Sequence, residues 1–288
     1  MPALAAIINK AVPDDKEILL YYNTGEGQLA ISTESGTSDD SQAENFRVSA
    51  DDAFNSYILN PSQMGAAQYQ GQNYVAAATM PSLDPGAVQT TNQISLLSPT
   101  YRKLGEMSLG NVSVAMCSIG DQAWVYYTET IRVMDLKDFS IKELRSTNDA
   151  WLNTSLSPYY DPVKKQRHIV YEGSTLMDYN VDLETTEFIQ TVGNMQRNTP
   201  VAVSYHDAKL YVYYLGRGQP GVQRAVKDSN GWGVAVPVSG APSVAESSQI
   251  TVVTANGFNH LFYVAADEPE SAGTKASKYF THIRDHLK

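Results

Sequence analysis

One short phrase, an apolar and aromatic run carrying a tyrosine or its equivalent, returns six times along the chain: ILLYY, NYVAAA, AWVYY, HIVYE, LYVYY and HLFYV. With Leu20, Val75, Val125, Val170, Val212 and Phe262 as anchors, successive repeats lie 55, 50, 45, 42 and 50 residues apart. Such repetition constrains a fold more than any single residue does, because each unit must bury its apolar face against the next. A period of about 40–50 residues built from strands is the length of a four-stranded propeller blade. The spacing predicts an all-β, six-bladed β-propeller of antiparallel blades in a single domain. Approximate blade limits are 1–60, 61–110, 111–150, 151–196, 197–245 and 246–288.

Each anchor follows a short strand of small and apolar residues, beginning near Leu4, Met64, Val112, Ser155, Thr199 and Ser248. Small side chains suit the innermost strands, where blades crowd about an axis. Third strands with period-two patterning are expected at Leu29–Thr33, Ile94–Leu97, Ile131–Leu136, Leu176–Val181, Val222–Lys227 and Tyr279–Ile283. Fourth strands are expected in five repeats, at Phe46–Val48, Arg102–Met107, Ile141–Leu144, Glu187–Gln190 and Val234–Val238. Gly, Asn, Asp and Pro in TGEG, SLDPG, LGRGQPG and KDSNG mark turns. Longer inserts at 35–45, 51–62, 81–91 and 267–276 read as face loops.

A net charge of -10 repels phosphate backbones, so nucleic acid is not expected as a partner. No apolar run is long enough for a membrane-spanning helix, and no membrane partner is expected. Cys117 is the one cysteine, which excludes an intrachain disulfide; in SVAMCSI it reads as a core residue. The first residues, MPALAAIINK, read as a strand rather than a leader, and a cytoplasmic location is expected. A homodimer is compatible with the sequence. Of the five histidines only His282 and His286 have i, i+4 spacing, in a polar tail with no third ligand, so no metal is expected. Nucleophile elbows, phosphate-binding loops and dinucleotide fingerprints are missing, and no cofactor is implied.

The repeat TPVAVSYHDAKLYVYYLGRGQPGVQRAVKDSNGWG, Thr199 to Gly233, resembles a blade of the fungal fucose-specific lectins, as does SVAMCSIGDQAWVYYTETIRVMDL from Ser113. The resemblance implies six four-stranded blades. In that family an arginine before V-Y-Y and a glutamate ending I-x-E grip the sugar hydroxyls, and aromatic rings pack on its apolar face. Matching positions for the arginine are Leu19, Tyr74, Trp124, Ile169, Tyr211 and Leu261. For the glutamate they are Ile31, Leu96, Val133, Asp178, Arg224 and His282, so only Asp178 keeps an acid and no blade keeps the pair.

Replacement of the gripping pair by aromatic and aliphatic residues gives a resemblance of a second kind, to the fungal hetero-Diels-Alderases of tropolone-sesquiterpenoid biosynthesis. It implies a cofactor-independent pericyclase holding a quinone-methide-like diene and a terpene olefin in an apolar pocket. In that reading the catalytic candidates are Tyr205, His206 and Arg132, one or two of which polarise a carbonyl. Trp124, Tyr127, Tyr69, Tyr160, Arg224 and Trp232 line the substrate, an apolar small molecule. The alternative is a divergent fucose- or carbohydrate-binding lectin without catalysis, in which Asp178 and nearby aromatics hold one sugar. A propeller acting only as a protein-interaction platform is the third reading.

Overall fold

Small residues at the head of each repeat let six strands crowd around an axis, and their neighbours then fan outward as sheets. The computed structural model describes residues 3–25, 27–35, 37, 43–46, 57–128, 130–219, 221–266 and 280–287. Blade I comprises Leu4–Ile8, Glu17–Asn23, Leu29–Ser35 and Ala43–Phe46; blade II comprises Met64–Tyr69, Gln72–Thr79, Thr91–Ser98 and Arg102–Ser108. Blade III is Val114–Ile119, Gln122–Tyr127, Arg132–Asp135 and Ile141–Glu143; blade IV is Ser157–Asp161, Gln166–Glu172, Leu176–Asn180 and Thr185–Phe188. Blade V has Ala202–His206, Lys209–Leu215, Val222–Asp228 and Gly231–Trp232, with Val236–Pro237 also paired to its third strand. Blade VI has three described strands, Thr251–Ala255, Phe258–Tyr263 and Thr281–His286. The protein is thus an all-β, six-bladed propeller of mostly four-stranded antiparallel blades.

Several strand limits differ from expectation. The fourth strand of blade IV ends at Phe188, because Gln190–Val192 form a turn of 3-10 helix. The third strand of blade II starts at Thr91, which the pattern gave to a loop. In blade VI the third strand begins at Thr281; Tyr279, Arg47 and Val48, with most of the inserts at 35–45, 51–62 and 267–276, lie outside the described residues.

Among the described residues every strand of blade I comes from one stretch of chain, 4–46, and the first and last blades meet by contact rather than by a shared strand. Leu4 N–H donates to Gln249 Oε1 at 2.8 Å and Ala6 N–H to Thr251 Oγ1 at 3.1 Å. Gln249 also pairs with Met64 of blade II, accepting from its N–H and donating to its carbonyl. Gln63 makes the same two-way amide pairing with Leu156, at the head of blade IV. Ser155 and Ser157 hydroxyls accept from Val201 and Val203 N–H in blade V. Side chains thereby satisfy backbone groups on the free inner edges, which would otherwise be orphaned in a narrow channel.

A second repeated device joins inner strand to second strand. Thr154, Thr199 and Ser248 hydroxyls accept from Glu172, Leu215 and Val264 N–H. Each follows a residue of positive φ, Asn153, Asn198 and Ser247.

Alternation along the second strands assigns their residues to opposite interfaces. Val125 and Tyr127 pack toward blade II, Trp124 and Tyr126 toward blade IV. The anchors of blades I, II, III and V all face the preceding blade. Val170 and Phe262 instead face the following blade, and Ile169 and Leu261 are the true equivalents. The HIVYE and HLFYV phrases are therefore offset by one. Alignment on the last tyrosine, Tyr22, Tyr127, Tyr171, Tyr214 and Tyr263, with Ala77 in blade II, restores a common register. A one-residue slip in a strand exchanges the two faces, so the correction bears directly on the site.

Blades II and III approach most tightly at Gly65, where an added Cβ would stand 2.4 Å from Met116 N and 2.6 Å from Ala115 C. Backbone atoms cannot yield as a side-chain tip can. Gly65→Ala is expected to lower the unfolding free energy by about 1–3 kcal/mol in urea titrations. Gly193→Ala, which meets nothing within 4 Å, is expected to stay within about 0.5 kcal/mol of the parent.

Candidate functional site

Blade IV presents an unusual set of polar side chains to blade V. In the corrected register His168, not Ile169, stands three residues before the last tyrosine, level with Trp124 of blade III, and in blade VI His260 replaces Leu261. Asp178 lies opposite Val170 as Val133 lies opposite Tyr126, so its assignment holds. Blade IV thus carries a histidine and an aspartate at the two matched positions: no blade keeps the arginine and glutamate themselves, but blade IV sets a base beside an acid there. His168 Nδ1–H donates to Asp178 Oδ1 at 3.0 Å. Asn180 Nδ2 donates to His168 Nε2 at 3.3 Å, which fixes the ring tautomer, and also to Gln166 Oε1 at 2.8 Å.

Tyr159 lies flat against His168, ring centroids 4.8 Å apart, and its hydroxyl donates to Asp178 Oδ2 at 2.8 Å. Burial and the neighbouring Asp178 charge push the Tyr159 phenol far above its ordinary range, so it remains a donor. Tyr205 of blade V continues the stack 5.8 Å further on and donates to Asp161 Oδ1 at 3.0 Å. Desolvation, with Asp161 beside it, pushes the Tyr205 phenol up to about 12. At the outer rim Glu187 accepts from Trp232 Nε1 at 3.0 Å and from Lys227 at 2.5 Å.

These groups surround a cleft of about 700 Å³ between blades IV and V. Tyr159, Tyr205, Val163 and Leu183 supply apolar surface; Asp161, Asp178, Glu187, Gln166 and Asn180 supply polar groups. Val163 and Leu183 are exposed, offering apolar contact at the mouth. Such a volume is in the range of small-molecule sites.

The nine residues expected to form a site are spread over four interfaces. Tyr205 and Trp232 belong to the cleft region. His206 points to the other face of its strand and pairs with adjacent Asp207 at 3.2 Å. Arg132 lies opposite Tyr127, toward blade II, 3.7 Å from Glu143. Tyr205, His206 and Arg132 therefore cannot act on one carbonyl. Trp124 is buried between blades III and IV, donates to Asp135 and lies parallel to Tyr160 at 6.4 Å beneath the Arg167 guanidinium. Tyr127 and Tyr69 are core residues between blades II and III. Cys117 is buried, its thiol pushed up to about 12 by desolvation, in keeping with a core role.

Arg224 is consumed by structure. Its Nη1 donates to both Asp285 oxygens, at 2.5 and 2.7 Å, across the blade V–VI interface, and Tyr213 OH joins at 2.8 Å. Removing one partner leaves the other charge buried alone. Arg224→Ala is expected to cost about 3–5 kcal/mol in chemical unfolding, most of it recovered in a joint Arg224→Met, Asp285→Leu variant.

Between blades VI and I the corresponding pair is His260 and His282. His260 Nε2–H donates to Ala255 O, so Nδ1 accepts from His282 Nε2–H at 2.9 Å. His282 lies flat on Phe262. Burial holds the His260 imidazole down to about 4, against 6.5 ordinarily. The unfolded chain then binds the extra proton first, so this contribution to stability is full above about pH 6.5 and disappears as pH falls toward about 4. Urea midpoints across that window should decline with acidification, and His260→Asn should remove the corresponding part of the slope.

Asp161, His168, Asn180, Glu187 and Lys227 were not anticipated as site residues. The histidine was detectable by aligning the repeats on the final tyrosine; the others lie at strand ends and rims with no pattern of their own.

No protein-family model matches the chain, and no curated protein matches it. Its fold is similar to solved lectins. A fucose-specific lectin from Aleuria aurantia superposes with a TM-score of 0.65 at 12% identity, covering 99% of this chain and 95% of the other. The SapL1 lectin in complex with alpha-methyl fucoside gives 0.59 at 9% identity, covering 99% and 96%. The BP39L lectin from Burkholderia pseudomallei gives 0.54 at 13% identity, covering 92% and 82%. At these identities the likeness establishes the fold. The pericyclase reading, with its enzyme assignment and apolar substrate, is overturned: the comparable structures are lectins, the three supposed catalytic groups diverge, and the cleft is lined by carboxylates and amides. Among the described residues no group of three or more His, Cys, Asp or Glu could hold a metal ion, and no helix is long and apolar enough to cross a membrane.

Proposed function

We propose that this chain is a carbohydrate-binding protein, a divergent lectin-like propeller that holds one sugar in the cleft between blades IV and V. The observation that carries the reading is a coincidence of place. The cleft opens beside His168 and Asp178, the positions matched to the arginine and glutamate of the fucose lectins that the sequence resembles. The similar SapL1 propeller in complex with alpha-methyl fucoside, and the fucose-specific lectin of the same fold, support the same ligand class.

The chemistry suits a polyol. Asp178 and Asp161 accept hydrogen bonds from sugar hydroxyls, and an ionised acceptor makes such bonds stronger and more directional than a neutral one. The Tyr205 ring, with Val163 and Leu183 at the mouth, meets the C–H face of the sugar. Tyr159 and His168 keep Asp178 in place before ligand arrives, which reduces the ordering cost of binding. Three of the other five inter-blade positions are filled by Trp124, by the Arg224–Asp285 pair and by the two histidines.

Glycan-array screening followed by calorimetry is expected to give one site per chain. Tyr205→Ala should weaken binding at least about tenfold, about 1.4 kcal/mol. Tyr69→Phe, at the remote blade II–III interface, should leave affinity unchanged. Absence of glycan binding, several sites per chain, or full affinity in Tyr205→Ala would sink the proposal.

A further inference from the structure

The cleft's donors are largely used by its own acids. Tyr159 OH and His168 Nδ1–H are given to Asp178, Tyr205 OH to Asp161, and Trp232 Nε1–H and Lys227 to Glu187. Asp161 Oδ1 further accepts from the Val163 and Lys164 backbone N–H groups. What remains for a ligand, Lys164 aside, is mainly acceptor capacity, since a carboxylate offers about four lone-pair sites and these bonds do not fill them. Asp161, Asp178, Glu187 and Asp228 line the cleft against two cationic side chains, Lys164 and Lys227. Asp161 and Asp178 are almost wholly buried, 4% exposed each, where solvent screens a ligand charge less than at the surface. The net charge of -10 biases encounter in the same direction.

Resting on the carbohydrate reading of this cleft, we propose that its preferred ligand is a cationic amino sugar, with the ammonium at the Glu187 side of the acid-lined cleft and the ring on Tyr205, Val163 and Leu183. An ammonium supplies three donors and a charge to a site that lacks neither acceptors nor apolar surface. Acidic sugars such as uronates and sulfated glycans are disfavoured by the same groups, because a like charge placed there meets four carboxylates against only Lys164 and Lys227.

Calorimetry at about pH 6 compares glucosamine oligomers with N-acetylglucosamine oligomers of equal length, with L-fucose as neutral reference. An amine of roughly α-amino basicity, pKa about 7.7–8, is protonated there. The amino series is expected to bind at least about tenfold tighter than the acetylated series and to lose affinity as salt is raised, while the acetylated series does not. Glu187→Gln, with unfolding midpoints checked against the parent, should narrow the amino-to-acetyl ratio at least about threefold. Equal or tighter binding of the acetylated oligomers or fucose, or an unchanged ratio in Glu187→Gln, overturns the cation preference and leaves sugar binding standing. Failure of every sugar to bind overturns both.

Discussion

Six inner strands expose one unpaired edge each to a channel too narrow to hydrate them freely, and satisfying those edges is the constraint on which the ring depends. The remedy is side-chain amides and hydroxyls. Gln63 and Gln249 reach across to Leu156 and Met64, making donor and acceptor bonds like a strand partner. Ser155, Ser157 and Thr251 cap further backbone N–H groups of the adjacent blade. Because each bond joins different repeats, blade order and spacing are set at the axis. Small residues there, Ala5, Ala6, Gly65, Ala66, Ala115 and Ala202, leave room for the two glutamine side chains.

That constraint also explains what could be read in advance. The apolar phrases revealed the number of blades because every second strand is buried on both faces along its middle and is mostly apolar there. Their very uniformity hid the register. In HIVYE and HLFYV every residue between histidine and tyrosine is a plausible core residue, so an anchor on Val170 or Phe262 looks as good as one on Ile169 or Leu261. Since faces alternate, that slip moved His168 and His260 out of the positions where they act. Tyrosine is the better marker: its ring is buried and its hydroxyl reaches a fixed partner, as Tyr171 reaches Asp149 at 2.8 Å and Tyr263 reaches Pro242 O at 3.1 Å. The ion pair of Arg224 was invisible for a different reason. Its partner Asp285 stands in another blade, and sequence rhythm does not say which charges meet across an interface.

Once the register is corrected, equivalent interfaces appear as different solutions to one packing problem. Trp124 fills the blade III–IV position with a large ring, stacked by Tyr160 and covered by Arg167. Arg224 and Asp285 fill the blade V–VI position with a buried ion pair whose bonds run to Tyr213, and from there to Asn259. His260 and His282 fill the blade VI–I position with two stacked, hydrogen-bonded imidazole rings. At blades IV–V the imidazole of His168 is smaller than the indole of Trp124, and Tyr159 covers only part of the difference. Space is left outside it, and the cleft is that space.

An open interface lined by buried acids would be costly unless every polar group were paired, because an orphaned carboxylate in low dielectric loses its hydration without return. The Tyr159, His168 and Asn180 bonds answer that need around Asp178, and Tyr205 with two backbone amides answers it around Asp161. Under the proposed function the same bonds dictate recognition. Each donor spent on an acid inside the cleft is a donor withheld from a ligand, so stabilising the acids internally turns the site toward ligands that donate. Fold stability and ligand preference are thereby coupled through one set of hydrogen bonds. A substitution that frees Tyr205 from Asp161 would alter both, whereas one at Glu187, on the exposed rim, separates them.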